Sequence, residues 1–396
     1  MAAAISIIPG QKHRDELSPL LSPATVAAVE TFHRSLPTHR KTPLVALPAL
    51  AKKLGVRNIF VKDESPRFGL NSFKGLGATY AIAKIIAKMT GVDETSLNYA
   101  ALTTESIRAK VKNLVFVTAT DGNHGKSVAW AASIFGCKVI VYMPMGSKEC
   151  RAEAIRTINN TTVEITALNY DDTVRLAAEY AKKPDHYLVQ DTGFDGYEDI
   201  PSAIIQGYTT MASEALAQLA DHHIEKPSHL FLQAGVGSMA GSILGYLAHY
   251  YHKKPPVTTI VEPATVACIY QSAKAGDGAP HPIGGNPVTI MAGLNCGEPN
   301  PFTWPILRDY ASFYASCPDW VTECGMKTLA HPIGQDANVV SGESGAVGLG
   351  LLVALCSDQQ LSAYRQLLGL DETSTILLFS TEGNTDPESY DAIVSR

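Results

Sequence analysis

The sequence predicts an α/β fold in which open, twisted, mostly parallel sheets are flanked by helices. The first observation is that, after about residue 55, short β-branched runs alternate with amphipathic or alanine-rich stretches, with turn-forming residues between them. The second is that most of these β-branched runs are apolar at nearly every position instead of at alternate positions. Continuous apolar runs are typical of strands buried on both faces, as in a parallel sheet.

The predicted elements follow from this alternation. Runs rich in valine, isoleucine or aromatic residues, separated by glycine, proline, asparagine or aspartate, are predicted as strands. These are 58–62, 114–119, 138–143, 162–166, 186–190, 229–234, 257–261 and 375–379. Longer stretches between them have helical length and pattern. The predicted helices are 73–88, 125–135, 149–158, 172–182, 201–220, 238–252 and 344–356.

The composition excludes several classes of protein. The chain has 396 residues, 45% of them hydrophobic and 18% charged, which is enough apolar material for two or three folded domains. The formal net charge is -6 and no dense run of lysine or arginine occurs, so no nucleic-acid partner is expected. The longest strongly apolar stretch, 345–356, is shorter than the roughly 20 residues that a membrane-spanning helix needs, so no membrane association is expected. The amino-terminal sequence lacks a basic segment before its apolar run, which predicts a cytoplasmic protein.

The seven cysteines are widely spread and form no Cys-x-x-Cys pair or Cys/His cluster. This distribution argues against a zinc site and against a disulfide scaffold, so no metal is predicted. Cys268 and Cys296 flank a glycine-rich segment and could approach each other. A single disulfide between these two residues therefore stays open.

The first candidate site is Lys74, at the start of a predicted helix. The positive end of the helix dipole and the loss of water beside Phe73 and Leu76 would both lower the pKa of its amine. An amine of this kind is a candidate nucleophile toward a carbonyl group. The alternative is that Lys74, like most lysines near a helix start, is a solvated surface residue.

The second candidate site is the segment Thr120–Gly125, which follows a predicted strand. Its glycines let backbone N–H groups turn outward into a concave site that suits a carboxylate. The alternative is an ordinary Asp-Gly turn followed by an asparagine cap. We expect His124 to form a structural hydrogen bond and not to act as a catalyst.

The third candidate site is the glycine-rich segment Gly235–Gly241, which follows an apolar strand and opens a helix. Backbone amides at such a helix start can bind a phosphate. The spacing also satisfies G-x-G-x-x-A, and Glu262 closes the next predicted strand, so a nicotinamide dinucleotide is an alternative ligand.

The fourth candidate site is the pair of hydroxyls at Ser380 and Thr381, where the predicted strand 375–379 ends. A hydroxyl at a strand end could meet an uncharged ring nitrogen. On this segment alone, the junction is unremarkable.

Taken in chain order, four motifs resemble the fold type II enzymes that use pyridoxal 5'-phosphate (PLP), the family of threonine and serine dehydratases, with a tryptophan synthase β-like fold. The motifs are Ser72–Gly75, Asp121–Gly125, Gly235–Met239 and Ser380–Gly383. The resemblance covers about residues 40 to 390. Three further stretches, Gln190–Tyr197, Ile290–Glu298 and Ser380–Asp386, resemble one branch of that family in particular. The resemblance implies a large domain of residues 1–84 and 191–396 and a small inserted α/β domain of residues 85–190. Because the family is commonly homodimeric, it also implies a homodimer.

The resemblance assigns residues to the cofactor PLP. Lys74 would hold it covalently, Phe73 would lie against its ring, and Asn123 would bond its phenolic oxygen. The phosphate would be bound by Gly235, Val236, Gly237, Ser238 and Met239. Ser380, or failing that Thr381, would face the ring nitrogen, which suits elimination over transamination. The substrate carboxylate would be held by Thr120, Asp121, Gly122, Asn123 and His124.

One departure from the family pattern points to the substrate, a small amino acid. The dehydratases usually have serine where this chain has Asp121. A buried carboxylate is costly unless a cation compensates it, and an amino acid with a second ammonium on its β-carbon supplies that cation. Asp121 therefore favours elimination of ammonia from 2,3-diaminopropionate to give pyruvate.

Asp121 and Asp191 are the candidate proton carriers for that elimination, one on each face of the substrate, and Lys74 is a third. Asp191 also has a bland alternative as a cap that precedes a helix. If the two carboxylates serve opposite faces, both the D and the L isomer would be accepted.

Three other functions stay open. A serine or threonine dehydratase would use the same cofactor with a hydroxyl leaving group. A nicotinamide-dependent dehydrogenase would use Gly235, Gly237, Ala240 and Glu262 but leaves Lys74 unexplained. A protein that only binds or senses an amino acid would be expected to lack the lysine or the Asp121–Gly125 loop, and this chain has both.

Overall fold

The structure is a computed structural model and describes residues 4–11, 16–120, 122–194, 196–285 and 287–395. Its backbone contacts divide the chain into two compact units. Unit 1 comprises Met1–Pro23, Lys41–Pro66 and Met211–Arg396, and unit 2 comprises Ala24–Arg40 and Arg67–Thr210. The domains expected from the sequence, residues 1–84 with 191–396 and residues 85–190, have other boundaries than these units and stay a prediction.

The strands in the described residues belong to two sheets. In chain order they are β1 (Ser6–Pro9), β2 (Leu44–Ala46), β3 (Asn58–Asp63), β4 (Val115–Ala119), β5 (Lys138–Met143), β6 (Thr161–Ile165), β7 (His186–Leu188), β8 (His229–Gln233), β9 (Val257–Pro263), β10 (Phe313–Cys317) and β11 (Thr375–Ser380). The α-helices are α1 (Pro23–Ser35), α2 (Pro48–Leu54), α3 (Gly75–Thr90), α4 (Tyr99–Leu102), α5 (Glu105–Val111), α6 (Asn123–Phe135), α7 (Glu149–Arg156), α8 (Tyr170–Tyr180), α9 (Asp199–Asp221), α10 (Ser238–Tyr250), α11 (Cys268–Ala275), α12 (Trp304–Tyr310), α13 (Asp319–Ala330), α14 (Glu343–Ser357), α15 (Ser362–Leu368) and α16 (Pro387–Val394).

The sheet of unit 1 has seven strands in the order β1-β10-β9-β8-β11-β3-β2. Its two edge strands, β1 and β2, pair antiparallel with their neighbours, and all other pairs are parallel. The helix α14 packs against β8 and β11 and is buried along most of its surface. The core of this unit includes Phe231, Leu352 and Leu378.

The sheet of unit 2 has four strands in the order β6-β5-β4-β7, and every pair is parallel. Val117 of β4 and Leu188 of β7 belong to a core cluster that also includes Ala177 of α8. Burial of each large aliphatic side chain contributes about 1.5–3 kcal/mol. The apolar runs in the sequence therefore become the central strands.

The predicted fold class is confirmed, since both sheets are mostly parallel and flanked by helices. Every predicted strand and helix is present, with ends shifted by a few residues. Three strands were missed: β1 and β2 are short edge strands, and β10 has the sequence FYASC, with few β-branched residues. In the part of the chain that the structure describes, no single helix is long and apolar enough to cross a membrane, although the pair Glu343–Ser357 and Gln359–Leu368, bent by 94°, reaches that length and hydropathy jointly.

The order of the strands positions the candidate residues within each unit. In unit 2, β4 and β7 are neighbours, so the segments that follow them, from Thr120 and from Val189, leave the same edge of the sheet. In unit 1, β8 and β11 are neighbours, so the segments at Ala234 and Thr381 also leave one edge. Open parallel sheets bind ligands at this carboxyl edge.

Candidate active site

In unit 2, Lys74 and Asp191 form an ion pair. Lys74 is the N-cap residue of α3, and its Nζ lies 2.5 Å from Oδ2 of Asp191, on the segment that follows β7. The two side chains are 17% and 13% exposed, so both are mostly buried. The structure therefore brings the predicted nucleophile together with one predicted proton carrier. Asp191 does not cap a helix through this carboxylate oxygen, because Lys74 binds it and the next helix, α9, begins only at Asp199.

The electrostatic surroundings keep Asp191 ionised. Burial by itself would raise the pKa of Asp191, but the Lys74 ammonium and the His124 ring outweigh burial and hold the pKa well below its ordinary value. His124 Nδ1 lies 3.8 Å from Asp191 Oδ2, and His124 Nε2 donates to the carbonyl oxygen of Val189 at 2.8 Å. His124 thus forms the expected structural hydrogen bond, and its acceptor, Val189, lies two residues before Asp191 in the chain.

The loop after β4 is held by its own side chains. Thr120 is 2% exposed, and its Oγ1 accepts a hydrogen bond from the backbone N–H of Gly122 at 2.9 Å. The helix α6 begins at Asn123 directly after this turn. Asp121, the other predicted proton carrier, lies outside the described residues.

Gly125 permits the close approach of α6 to this loop. A Cβ atom at residue 125 would lie 2.4 Å from Cγ2 of Thr120 and 2.8 Å from Cγ1 of Val141. No side chain fits that space without moving the loop. The close packing at this point therefore requires glycine at residue 125.

A buried tyrosine lies beside the lysine motif. Tyr208 is 1% exposed, its ring centroid lies 4.7 Å from that of Phe73, and its hydroxyl has no hydrogen-bond partner among the described residues. Burial raises the pKa of Tyr208, on which the charges of Lys74 and Asp191 also act, so the hydroxyl stays protonated. A buried hydroxyl without a partner fits a polar group that binds beside Lys74.

In unit 1, the glycine-rich segment forms a cradle at the start of α10. Gly237 is the N-cap of α10 and has φ of +91°, a left-handed conformation that side chains rarely adopt. The N–H groups of the first helical turn have no acceptor within the helix, and they carry the positive end of its dipole. Such a start fits a phosphate.

Asn300 fixes this cradle from a distant part of the chain. Its backbone N–H donates to the carbonyl oxygen of Val236 at 2.7 Å, and its Nδ2 donates to Oγ of Ser238 at 2.8 Å. Asn300 is fully buried. The cradle is therefore preformed within unit 1.

The hydroxyls of Ser380 and Thr381 lie at the carboxyl edge of the same unit. Gln233, at the end of β8, donates from Nε2 to the carbonyl oxygen of Phe379 at 2.8 Å and to Oγ1 of Thr381 at 3.0 Å. Ser380 Oγ donates to the carbonyl oxygen of Glu382 at 3.5 Å. Gln233 therefore joins the strand that carries the hydroxyl pair to the strand that leads into the cradle.

Each unit, taken by itself, offers groups that fit a part of PLP. Unit 2 offers an amine and an unpartnered hydroxyl beside the aromatic ring of Phe73. Unit 1 offers a phosphate cradle and hydroxyls near a strand end.

Glu262 does not fit the dinucleotide alternative. Its carboxylate is buried and accepts the backbone N–H groups of Ile269 and Tyr270 at 2.8 and 2.6 Å, at the start of α11. A ribose hydroxyl would have to displace these bonds. Burial raises the pKa of Glu262 to about 8, against the opposing effect of the two N–H donors.

Cys268 and Cys296 are not joined by a disulfide in the structure. The Cys268 thiol donates to the carbonyl oxygens of Cys296 at 3.5 Å and of Gly235 at 3.8 Å. The two residues approach each other, as the sequence suggested, through a thiol–carbonyl contact.

Sequence reasoning missed Tyr208 and Asn300. Tyr208 lies on a correctly predicted helix, but the helical pattern does not show which of its polar atoms is buried beside Lys74. Asn300 lies between two prolines and reaches Ser238 across 62 residues of chain. An asparagine between prolines was the only signal, and it is a weak one.

Comparison with known proteins gives consistent matches. The family model described as "pyridoxal-phosphate dependent enzyme" matches residues 36–370. A diaminopropionate ammonia-lyase from Salmonella typhimurium is 49% identical over 367 residues, which cover 92% of this chain and 91% of that protein.

Solved structures of a similar protein have the same fold. The crystal structure of diaminopropionate ammonia lyase from Escherichia coli in complex with D-serine has a TM-score of 0.91 and 43% identity, covering 99% of this chain and 97% of that chain. The structure of that enzyme with an aminoacrylate-PLP azomethine reaction intermediate has a TM-score of 0.90 and 42% identity, covering 99% and 97%.

Proposed function

We propose that this chain, which belongs to the family of pyridoxal-phosphate dependent enzymes, eliminates ammonia from 2,3-diaminopropionate. The overall reaction consumes one substrate molecule and one water molecule and gives one pyruvate and two ammonia molecules. The contact between Lys74 Nζ and Asp191 Oδ2 carries the proposal, because it sets an amine that can attach the cofactor beside a carboxylate that can move a proton. The similarity to diaminopropionate ammonia-lyases supports the choice of substrate.

The cofactor is pyridoxal 5'-phosphate. When bound, it supplies an electron sink that makes the α-hydrogen of an attached amino acid acidic. In unit 2, Lys74 would attach the cofactor, Phe73 would contact its ring and Asn123 would bond its phenolic oxygen.

For unit 1, we propose the phosphate and the ring nitrogen as the groups bound. The phosphate would be bound by Gly235, Val236, Gly237, Ser238 and Met239. Thr381 Oγ1 already accepts a hydrogen bond from Gln233, whereas the Ser380 contact to a carbonyl is long. Ser380 is therefore the hydroxyl that can turn more easily toward a ring nitrogen.

Asp191 would take the α-proton of the substrate at Oδ2. This carboxylate is ionised and can therefore accept a proton, and its basicity would rise once the Lys74 amine beside it is neutral. A positioned base of this kind contributes about 10²- to 10⁴-fold to a rate. Lys74 Nζ, once free, would be the nearby group that exchanges a proton with Asp191.

Asp121 would recognise the second ammonium of the substrate and act as the other proton carrier. The segment around it, with Thr120, Gly122, Asn123 and His124, would hold the substrate carboxylate. Because serine has a neutral leaving group, Asp121→Ser should lower turnover of diaminopropionate far more than turnover of serine. Equal loss on both substrates would contradict this role.

The proposed function is tested by pyruvate release from purified enzyme supplied in turn with D-2,3-diaminopropionate, L-2,3-diaminopropionate, D-serine and L-serine. We expect kcat/KM for at least one diaminopropionate isomer to exceed that for either serine by 100-fold or more, which corresponds to about 2.7 kcal/mol of selectivity. A serine isomer that is turned over as fast as diaminopropionate would instead indicate a dehydratase.

We further propose that the enzyme is a cytoplasmic homodimer. The wide spacing of the seven cysteines in the sequence, without a disulfide-scaffold pattern, supports a reducing compartment. Light scattering on the purified protein should give twice the chain mass of 42.3 kDa, and cell fractionation should recover the activity with cytoplasmic markers. A monomer mass or an exported activity would contradict these two points respectively.

A further inference from the structure

The carboxamide of Gln190 extends the β4–β7 ladder of unit 2 beyond its last main-chain bond. The ladder pairs Val117 with Leu188, and the Val189 N–H then donates to the Val117 carbonyl at 2.8 Å. One step further along β4, the backbone N–H of Ala119 donates to Gln190 Oε1 at 3.2 Å, and Gln190 Nε2 donates to the Ala119 carbonyl at 3.0 Å. The side-chain amide therefore takes the place of a peptide group, and the main chain is free to leave the sheet toward Asp191.

Further hydrogen bonds complete the surroundings of this carboxamide. Thr118 Oγ1 donates to Gln190 Oε1 at 3.0 Å, and Gln190 Nε2 donates to the hydroxyl of Tyr170 at 3.2 Å. Gln190 is 0% exposed. Its amide hydrogens and its oxygen are all engaged by protein, so Gln190 has no group left to bind a substrate.

The main chain of Gln190 is held as well. The hydroxyl of Tyr197 accepts a hydrogen bond from the Gln190 N–H at 2.7 Å and donates to the Leu188 carbonyl at 3.1 Å. The residue immediately before Asp191 is therefore fixed through both its side chain and its backbone.

We propose that Gln190 is a positioning residue for Asp191. It fixes the peptide that precedes Asp191 against the end of β4, and this holds Oδ2 within 2.5 Å of Lys74 Nζ. The effect on turnover rests on the proposed function, while the effect on the Lys74–Asp191 pair does not depend on the substrate.

Two substitutions test the proposal in the PLP-loaded enzyme. Gln190→Leu keeps a similar volume and removes all four side-chain hydrogen bonds. Gln190→Glu keeps the oxygen that accepts from Thr118 and Ala119 but has no donor for the Ala119 carbonyl unless its carboxyl is protonated. The matched control is Thr166→Val, which removes a buried hydroxyl bonded to Thr173 Oγ1 at 3.0 Å, after the edge strand β6 of the same sheet.

The first readout is steady-state kinetics on the diaminopropionate isomer whose turnover Asp191→Asn reduces more. We expect Gln190→Leu to lower kcat about 10- to 100-fold, because a misplacement of about 1 Å has effects of this size, with KM changed less than twofold. Gln190→Glu should approach the wild-type rate as the pH falls and its carboxyl becomes a donor. The control Thr166→Val should stay within twofold of the wild type.

The second readout needs no substrate. The visible absorbance of the cofactor held by Lys74 changes with pH, and the midpoint of that change should move by about one pH unit in Gln190→Leu. The reason is that the Asp191 carboxylate would leave hydrogen-bond distance, where a charge shifts a pKa by that amount or more. Unchanged absorbance titrations together with unchanged kcat, or a Gln190→Glu rate ratio that does not depend on pH, would overturn the positioning role. If the wild type itself releases no pyruvate from diaminopropionate, the proposed function fails, and the absorbance titration alone decides about Gln190.

Discussion

Both units carry a buried glutamine at the carboxyl edge of their sheet, and the two residues differ in the hydrogen bonding of their Oε1 atoms. Gln190 in unit 2 and Gln233 in unit 1 each donate from Nε2 to a carbonyl of the neighbouring strand, at 3.0 and 2.8 Å. The Oε1 atom of Gln190 accepts two hydrogen bonds, whereas that of Gln233 has no partner among the described residues. A buried acceptor without a partner costs about 1–3 kcal/mol. The carboxamide of Gln190 is thus saturated by protein groups, whereas the carboxamide of Gln233 keeps one acceptor without a partner among the described residues.

The two units also contain buried acids whose pKa values shift in opposite directions. Asp191 in unit 2 faces Lys74, and its pKa is lowered although burial opposes this. In unit 1, burial outweighs the two backbone N–H donors to Glu262 and raises its pKa to about 8. Asp191 is thus held as a charged partner of Lys74, while Glu262 accepts N–H groups at the start of α11.

The largest expected effect comes from removing the Lys74 amine of unit 2. Lys74→Ala should lose turnover by at least 1000-fold and lose the visible absorbance of the attached cofactor, because no other group replaces the covalent bond. Lys84→Ala is the matched control, since Lys84 lies on the same helix and pairs with Glu94 at 3.5 Å. Retained absorbance in Lys74→Ala would remove the assignment of the cofactor to this lysine.

The next effect comes from distorting the cradle of unit 1. Gly237→Ala should weaken PLP binding about 5- to 30-fold, because a left-handed alanine costs about 1–2 kcal/mol and its Cβ would lie 2.8 Å from Leu307 Cδ1. Cofactor titration followed by fluorescence measures the dissociation constant. Gly369→Ala is the matched control, because Gly369 has φ of +71° with nothing near its Cβ position. If both variants bind PLP like the wild type, the cradle does not hold the phosphate.

The contrast between the two acids predicts opposite pH dependences of stability. The folded-state pKa of Glu262 is raised to about 8, so the folded state binds more protons and stability falls as the pH rises toward 8. The pKa of Asp191 is lowered, so its contribution is present above its unfolded-state pKa of about 4 and is lost as the pH falls. The amide of Glu262→Gln can accept only one of the two backbone N–H groups, so this variant should have a lower Tm than the wild type at pH 6, with the deficit shrinking by a few degrees as the pH rises toward 8. Asp191→Asn should lose most at neutral pH. If the Tm difference from the wild type does not change with pH in either variant, the two pKa shifts do not affect stability as proposed.

The smallest effect concerns the hydroxyl pair of unit 1. Thr381→Val removes one hydrogen bond from Gln233 and should lower stability by about 1 kcal/mol with little change in kcat. If Ser380 faces the cofactor, Ser380→Ala should lower kcat and leave Tm nearly unchanged. The reverse pattern would exchange the roles of the two residues.

Central strands were predictable because burial on both faces leaves a continuous apolar run, as in β8, which is fully buried. The edge strands β1 and β2 were not, because a short strand that pairs on one side needs no such run. Lys74 and the segment Gly235–Met239 stood out because their chemistry is local: an amine in one case and backbone N–H groups in the other, both at a helix start.

Other features of the candidate site depend on contacts that no local pattern contains. Lys74 and Asp191 meet across 117 residues of chain, and Asn300 reaches the cradle across 62. The saturated carboxamide of Gln190 becomes visible only once β4 and β7 are known to be neighbours. Its neighbour Asp191 was found through the family resemblance and not through any spacing rule.

The most direct test of the proposed reaction is the ratio of ammonia to pyruvate released when the purified enzyme acts on each isomer of 2,3-diaminopropionate. Elimination of the β-amine followed by hydrolysis predicts two ammonia molecules for each pyruvate, and no pyruvate from Lys74→Ala. One ammonia per product, or ammonia without pyruvate, would contradict the elimination.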